Sequence, residues 1–477
     1  MLLRSGRTPT FVVDLVVYGP AMPELPVQDA QQLVRAIVEL ASMADRVLLP
    51  HASKMTRRLQ AHLGGVDDLP NTSVNFDPIE RGNLQVAFDE LRVDTTVWEV
   101  FGLPSDIGNY GGISLSSIIG GTWHGPADTA VQYASVEVSA TETIRCLRAG
   151  VIITEFAGVP VAVMIYQSER RAVELVVEVA AATQSAADGL VRRLRELMTV
   201  NNILRGKVVT FSFGEYGGFG LTFTSVPAVA RDEVILPEWQ LAAIEEHALG
   251  ITEVRDQLIA AGQHLKRGLL LYGPPGTGKT HTVSYLIGRM TGRTTIILSG
   301  ASVGAVGQAG TLARKLAPAT IVIEDVDLIG MDRGLPGGEH NPMLFQLLNE
   351  MDGLQADDDV LFILTTNRAD LLEPALAARP GRIDQAIEID VPDAAGRRAL
   401  FELYLRKPVD DSTMGDAVSR TEGVAAAFIK ELARRATLAS IRSGANLDTM
   451  LRIAISDMNA TATPLLRASL SAAQSPD

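Results

Sequence analysis

The sequence is poor in cysteine: Cys146 stands alone among 477 residues, so no internal disulfide can form. A reducing cytosol is consistent with that usage, and Cys146 reads as a small buried apolar residue. Basic residues are the minority, 42 against 56 acidic ones, for a net charge of −14. That balance disfavours a nonspecific nucleic-acid or membrane-surface binder, while leaving room for a local basic pore. Long apolar runs are also missing. None approaches the roughly 18 residues that a membrane-spanning helix needs, and the early run from Phe11 to Tyr18 is interrupted by Asp14. No basic n-region, apolar h-region and cleavage site follow one another. No His-Glu-x-x-His pattern occurs, and His51, His62 and His124 lack metal-ligand spacing. These absences describe a soluble, cytoplasmic chain without a membrane span or a zinc-protease site. Its 47% hydrophobic content supports large cores, and its length suggests roughly three domains.

What the chain does have is Gly273-Pro274-Pro275-Gly276-Thr277-Gly278-Lys279-Thr280. This fits the phosphate-loop pattern G-x-x-x-x-G-K-[ST] at every fixed position. The apolar run 268–272 before it reads as a buried parallel strand, and 281–290 after it as a helix. Glycines let backbone N–H groups turn toward phosphates, and the helix N-terminus completes an anion cradle. Lys279 is expected to reach the β- and γ-phosphates of ATP, and Thr280 to ligate Mg²⁺. His281 falls in the first helical turn, among the residues facing the nucleotide, and needs no catalytic role.

Residues 1–225 carry no motif with chemistry. Asp29–Met43 has helical apolar spacing, and so does 186–200, with Leu190, Leu194 and Leu197 on one stripe. Residues 131–138 alternate, 151–156 and 159–166 flank a hairpin turn at Ala157-Gly158, and 174–180 is a further strand. This predicts an α+β domain with an antiparallel sheet. Arg192, Arg193 and Arg195, with Lys207, read as a solvated basic face. The Gly-rich stretch 214–220 lacks a following helix and Lys-Thr pair, and reads as a loop or hairpin near a boundary.

Beyond a linker at 227–232, three more buried strands are expected, at 294–298, 321–323 and 361–364. The second ends in Glu324-Asp325-Val326-Asp327, and Asn367 follows the third. Polar groups just past buried parallel strands sit where open α/β sheets bind ligands. One carboxylate can serve the metal shell and its neighbour the attacking water. Asn367 can sit between γ-phosphate and water. Arg379 and Arg382 offer planar forks suited to phosphate.

In this order the motifs resemble the AAA clade of the AAA+ ATPases over residues 233 to about 455. The carriers are the phosphate loop, the acidic strand end, Leu347–Leu354, Thr365-Thr-Asn-Arg368 and Ala378-Arg-Pro-Gly-Arg-Ile-Asp384. The resemblance implies an α/β phosphate-loop core with a parallel sheet (226–392), a small C-terminal helical lid (393–459) and a frayed tail (460–477). It implies Mg-ATP hydrolysis by a homo-hexameric ring that acts on protein substrates. Glu324, Asp325 and Asn367 would be catalytic, with Glu324 and Thr280 at the metal. Arg379 and Arg382 would reach a neighbour's γ-phosphate. Ala426-Ala427 would lie near the nucleotide, and Val234 and Ile235 are candidates for the adenine wall or for core packing.

Two departures stand out. The clade's third strand usually ends Asp-Glu, whereas this chain has Glu324-Asp325, so the shorter carboxylate faces the water. Most members also carry an aromatic-aliphatic-Gly pore loop in the segment 299–318; here the matching tripeptide is Ala305-Val306-Gly307. Small residues cannot intercalate between substrate side chains as an aromatic does. The mitochondrial translocases of the folded Rieske protein are similar in both respects. A ring motor that remodels or moves protein is therefore one reading, and a nucleotide-controlled assembly switch with slow hydrolysis the other.

Overall fold

This computed structural model describes residues 53–65, 69–104, 107, 113–123, 129–168, 174–213, 219–327, 347, 349–351, 353, 355, 358–368 and 383–461. The expected helix at 29–43, the arginines 379 and 382 and the tail 462–477 lie outside them.

The first half builds an antiparallel sheet from β1 (Asn71–Phe76), β2 (Trp98–Gly102), β3 (Gln132–Glu137), β4 (Thr143–Phe156), β5 (Val159–Ser168) and β6 (Glu174–Ala181). The strand order is β1-β6-β5-β4-β2, with β3 on the far end of β4. Helices cover both faces. α2 (Arg81–Val93) and α4 (Gln184–Val200) pack on Val161, Val163 and Ile165. α1 (Lys54–Leu63) and α3 (Leu115–Ile119) pack on Ala162, Met164 and Tyr166. That double cover explains why β5 and β6 are apolar at consecutive positions and do not alternate. The β4–β5 hairpin turns at Ala157 (φ 51°) and Gly158 (φ 75°). Two positive φ angles in a row are what a tight hairpin's twist demands.

The second sheet has the order β13-β9-β12-β11-β10-β7-β8. β9 (Arg267–Tyr272), β10 (Thr294–Leu298), β11 (Ala319–Ile323), β12 (Val360–Thr366) and β13 (Gln385–Glu388) are parallel. α5 (Glu238–Glu245), α6 (Arg255–Ala260), α7 (Lys279–Arg289) and α8 (Val306–Lys315) accompany them. A boundary at residue 225 does not follow this sheet. β7 (Val208–Phe213) runs parallel to β10, pairing Val209 with Ile296, and β8 (Phe219–Phe223) folds back on β7. Both strands precede 225. The sequence predicts a loop or hairpin at 214–220 near the boundary and no strand at 208–213, whose partner β10 lies far ahead in the chain.

Four helices follow: α9 (Ala394–Leu405), α10 (Asp411–Arg420), α11 (Ala426–Ser443) and α12 (Leu447–Thr461). They enclose a small core of Leu400, Phe401, Met414, Ile429, Leu432 and Leu451. Asp393 and Asp410 cap α9 and α10 by accepting from the N–H of Gly396 and Thr413. No helix among the described residues is long and apolar enough to cross a membrane.

Candidate nucleotide site

The parallel strands end in one row. β9, β12 and β11 are neighbours, so their C-terminal ends bring the phosphate loop, Thr365–Asn367 and Glu324–Asp327 to one edge of the sheet. This is the crevice where an open α/β sheet takes its ligand. A cleft of about 400 Å³ lies there, walled by Pro275–Thr282, Asp325 and Asn367 on one side. Glu233–Leu236 and the lid residues Leu400, Tyr404, Ala426, Ala427 and Lys430 form the rest.

The loop's own backbone sets its shape. Gly273 has φ 139°, and a Cβ there would stand 2.2 Å from the Ile389 carbonyl oxygen. Gly276 has φ 77° and a Cβ there would meet the Ala427 methyl at 3.1 Å. The lid docks onto this same residue, since the Ala427 N–H donates to Gly276 O at 2.9 Å. Lys279 opens α7 and is buried, with its ammonium donating at 2.8 Å to both Gly273 O and Pro274 O. Burial lowers its pKa, and the charges of Asp325 and Asp327 oppose that fall.

The carboxylates divide their partners. Burial, reinforced by the neighbouring Asp325 charge, raises the Glu324 pKa, and the nearby Thr280 side chain counteracts part of that rise. Asp325 stands in a left-handed backbone conformation, φ 49°, which Asp tolerates better than longer side chains. Its N–H donates to Thr365 Oγ1 at 3.0 Å, and its carboxylate accepts from Asn367 Nδ2 at 3.3 Å. Asp327 accepts from Thr366 Oγ1 at 2.9 Å and from the Asn367 N–H at 3.2 Å. Asp327 thus holds the turn that presents Asn367. Nothing in its spacing separated it from the other acids.

His281 lines the cleft, and its Nε2 lies 3.1 Å from Glu233 O. The ring thereby ties the strap 233–236 to α7. Arg231, just before the strap, makes salt bridges to Glu238 (2.6 Å) and Glu245 (3.0 Å) beyond it, while the Tyr285 hydroxyl of α7 donates to Glu245. Val234 is buried among Leu241, Ile244 and Leu271 and also borders the cleft, so it serves both packing and wall. Tyr404 and Lys430 gave no signal in the sequence. The segment where most members of the clade carry a pore loop is folded inward here: Ala305 and Val306 are 0% and 1% exposed, packed in the core with residues of β10 and β11.

A group with phosphates and a divalent ion fits these residues, because a cradle of glycines, a lysine and a Thr–carboxylate pair meet at one strand edge. Comparison with known proteins agrees. Residues 269–391 match the family "ATPase family associated with various cellular activities (AAA)". That stretch of the chain is an ATPase domain of the AAA type. Over 259 residues it is 36% identical to the ATP-dependent zinc metalloprotease FtsH 2 of Symbiobacterium thermophilum, a match covering 50% of this chain and 44% of that protein. It is 39% identical over 196 residues to FtsH of Bacillus subtilis, covering 38% of this chain and 30% of the relative. It is also 38% identical over 198 residues to the proteasome-activating nucleotidase of Saccharolobus solfataricus, covering 39% of this chain and 50% of the relative. The chain thus spans half or less of the length of these curated relatives.

Proposed function

We propose that the chain is a Mg-ATP-dependent ATPase that works in the cytoplasm as a homo-hexameric ring and remodels or moves protein substrates. The antiparallel sheet and its helices would serve as adaptor or substrate domain, the second sheet with β7 and β8 as the ATPase core, and 393–459 as its lid. One observation carries the reading: the Thr280–Glu324 pair and the Asn367–Asp325 pair meet beside the phosphate loop. Mg²⁺, when bound, supplies charge neutralisation at the β- and γ-phosphates. Thr280 and Glu324 would hold it. Lys279 would exchange its two loop carbonyls for phosphate oxygens, a stronger, charge-assisted pairing. Asp325 would orient and deprotonate the water, steadied by Asn367. Arg379 and Arg382 would act across the interface on a neighbour's nucleotide.

Lys279→Ala should abolish tight ATP binding, read by calorimetry. Arg379→Ala should bind ATP yet turn it over poorly, and mixing the two variants should restore part of the activity at interfaces with both halves intact. Wild-type affinity in the lysine variant, or no recovery among subunits that exchange, overturns the corresponding assignment.

A second reading, a nucleotide-controlled assembly switch, draws support from the inward folding of Ala305 and Val306. Turnover that rises on addition of an unfolded protein favours the motor, and turnover that ignores it favours the switch.

A further inference from the structure

The first sheet ends in a bare edge. β1 has β6 on one side and, among the described residues, no strand on the other. The Ala181 N–H donates to Pro70 O at 3.2 Å, which sets the phase of this antiparallel ladder. Thr72, Val74 and Phe76 therefore exchange backbone bonds with β6, and Asn71, Ser73 and Asn75 turn their N–H and C=O outward. All three are exposed. Native edges are commonly guarded by lysine, proline or a bulge. β1 has none of these: it reads Asn-Thr-Ser-Val-Asn-Phe, carries no charge and pairs with β6 in unbroken register.

A cleft of about 300 Å³ lies between this strand and α4, lined by Thr72, Val74, Asp188, Val191, Arg192 and Arg195. Val191 is buried and gives it an apolar floor, while Arg192 and Arg195 are exposed. The acid among the lining residues is already engaged, since Asp188 accepts from Thr72 Oγ1 at 2.8 Å and from Gln184 Nε2 at 2.9 Å. Arg193 pairs with Glu196 at 3.5 Å, whereas Arg192 and Arg195 make no ion pair with a described residue. A strand added to β1 would send alternate side chains toward α4. There they would meet Val191 and two unneutralised guanidinium groups, on a chain whose net charge is −14. That surface is complementary to a segment with acidic and apolar side chains.

We propose that the free edge of β1 and the α4 cleft take up an extended, acidic peptide segment of a partner protein as an added strand. Backbone bonds to Asn71, Ser73 and Asn75 supply affinity, and Arg192 and Arg195 select acidic side chains. The proposal rests on the reading of the first sheet as adaptor or substrate domain, and names what that domain binds.

The test titrates the full chain with a fluorescein-labelled hexapeptide of alternating valine and glutamate, followed by anisotropy. Binding should be saturable, and the valine–lysine counterpart should bind at least about tenfold more weakly. Ser73→Pro removes an outward N–H and leaves the bonds to β6 in place, so the sheet should persist by circular dichroism while binding falls about tenfold. Arg192→Glu with Arg195→Glu should weaken the glutamate peptide as much and strengthen the lysine one. Basal ATP turnover should stay at the parent's level in both variants. No saturable binding, equal binding of the lysine peptide, or undiminished binding in either variant overturns the proposal. A change in oligomeric state in Ser73→Pro, read by sedimentation, would give the edge to a second copy and overturn it too. Turnover in the presence of an unfolded protein keeps the two readings apart. If the parent is stimulated but binds no peptide, only the edge assignment fails; if it binds the peptide but is not stimulated, the remodelling reading fails and the edge stands.

Discussion

The antiparallel sheet of the first half and the mostly parallel sheet of the second both bury two faces, yet they treat buried polar groups differently. In the first, the buried charged groups Glu178 and Arg81 are used up by their own scaffold. Glu178 accepts from the Leu115 N–H at 2.7 Å and from Asn71 and Tyr166, and so caps α3. Arg81 donates to the carbonyls of Leu147 and Arg148 and to Gln167. Cys146 beside it is fully buried, its thiol pushed up to about 11 by desolvation, and so is poorly reactive. In the second sheet, Lys279, Asp325 and Asn367 border an open cleft at the strand ends. A buried polar group satisfied by backbone argues for architecture. One that faces a cleft argues for chemistry.

The second sheet also holds a group of the architectural kind, at the opposite ends of the same strands. Asp359 precedes β12 and accepts from Arg293 at 2.9 Å and Arg267 at 3.2 Å, all three being nearly inaccessible. Burial and the neighbouring Arg293 lower the Arg267 pKa to about 10, with Asp359 pulling the other way. Asp359→Ala leaves two guanidinium ions in the core, which should cost about 3–5 kcal/mol. Chemical denaturation checks this. A loss below about 1 kcal/mol would mean that water reaches the cluster, and the contrast between the two ends of the sheet would collapse.

At the other strand ends the expected losses are catalytic. Asp325→Asn keeps the shape of the side chain and its tolerance of a left-handed backbone, so the fold and ATP binding should persist. Turnover should fall at least about 100-fold, as when a placed catalytic group is removed. The double exchange Glu324→Asp with Asp325→Glu is the sharper probe. A Glu at 325 must adopt φ near 49°, where Asp is favoured over longer residues, so the exchange should leave activity equal or lower. Steady-state turnover at saturating Mg-ATP decides. A severalfold gain would mean that the site is held back by its short carboxylate, and would favour the switch over the motor.

How much of this was readable beforehand follows from the range of the interactions. The phosphate loop and the strands leading to Glu324 and Asn367 are local patterns, and the strands they predicted are present as β9, β11 and β12. The α4 stripe and the turn at Ala157-Gly158 are local too. Asp359 lies 92 residues from Arg267 and 66 from Arg293, and no periodicity joins them. Tyr404 and Lys430 meet only because α9 and α11 pack. α10 went unread because its apolar positions are few and broken by polar residues: Met414 and Ala417 are its buried apolar residues. The placement of β7–β8 fails for the same reason of range.

That misplaced hairpin bears on whether the two sheets act separately. The segment between α4 and β7 is the seam. Ile203 donates its N–H to the Asn83 side chain of α2 at 2.8 Å, and the Gly206 N–H donates to Thr294 Oγ1 beside β10. Between them Arg205 spreads one guanidinium over three carbonyls, Thr199 O on the α4 side and Lys315 O and Ala317 O at the end of α8. Arg205 is exposed, so each bond competes with water and the three together are worth about 1 kcal/mol. Arg205→Ala should therefore barely change the stability of either sheet. It should change their coupling, because the guanidinium links α8 to the first half directly. In differential scanning calorimetry the parent chain should melt the two sheets together, and the variant should broaden or split that transition. A single, unshifted transition in Arg205→Ala would show that the guanidinium is not the link, and that the Ile203–Asn83 and Gly206–Thr294 bonds join the halves without it.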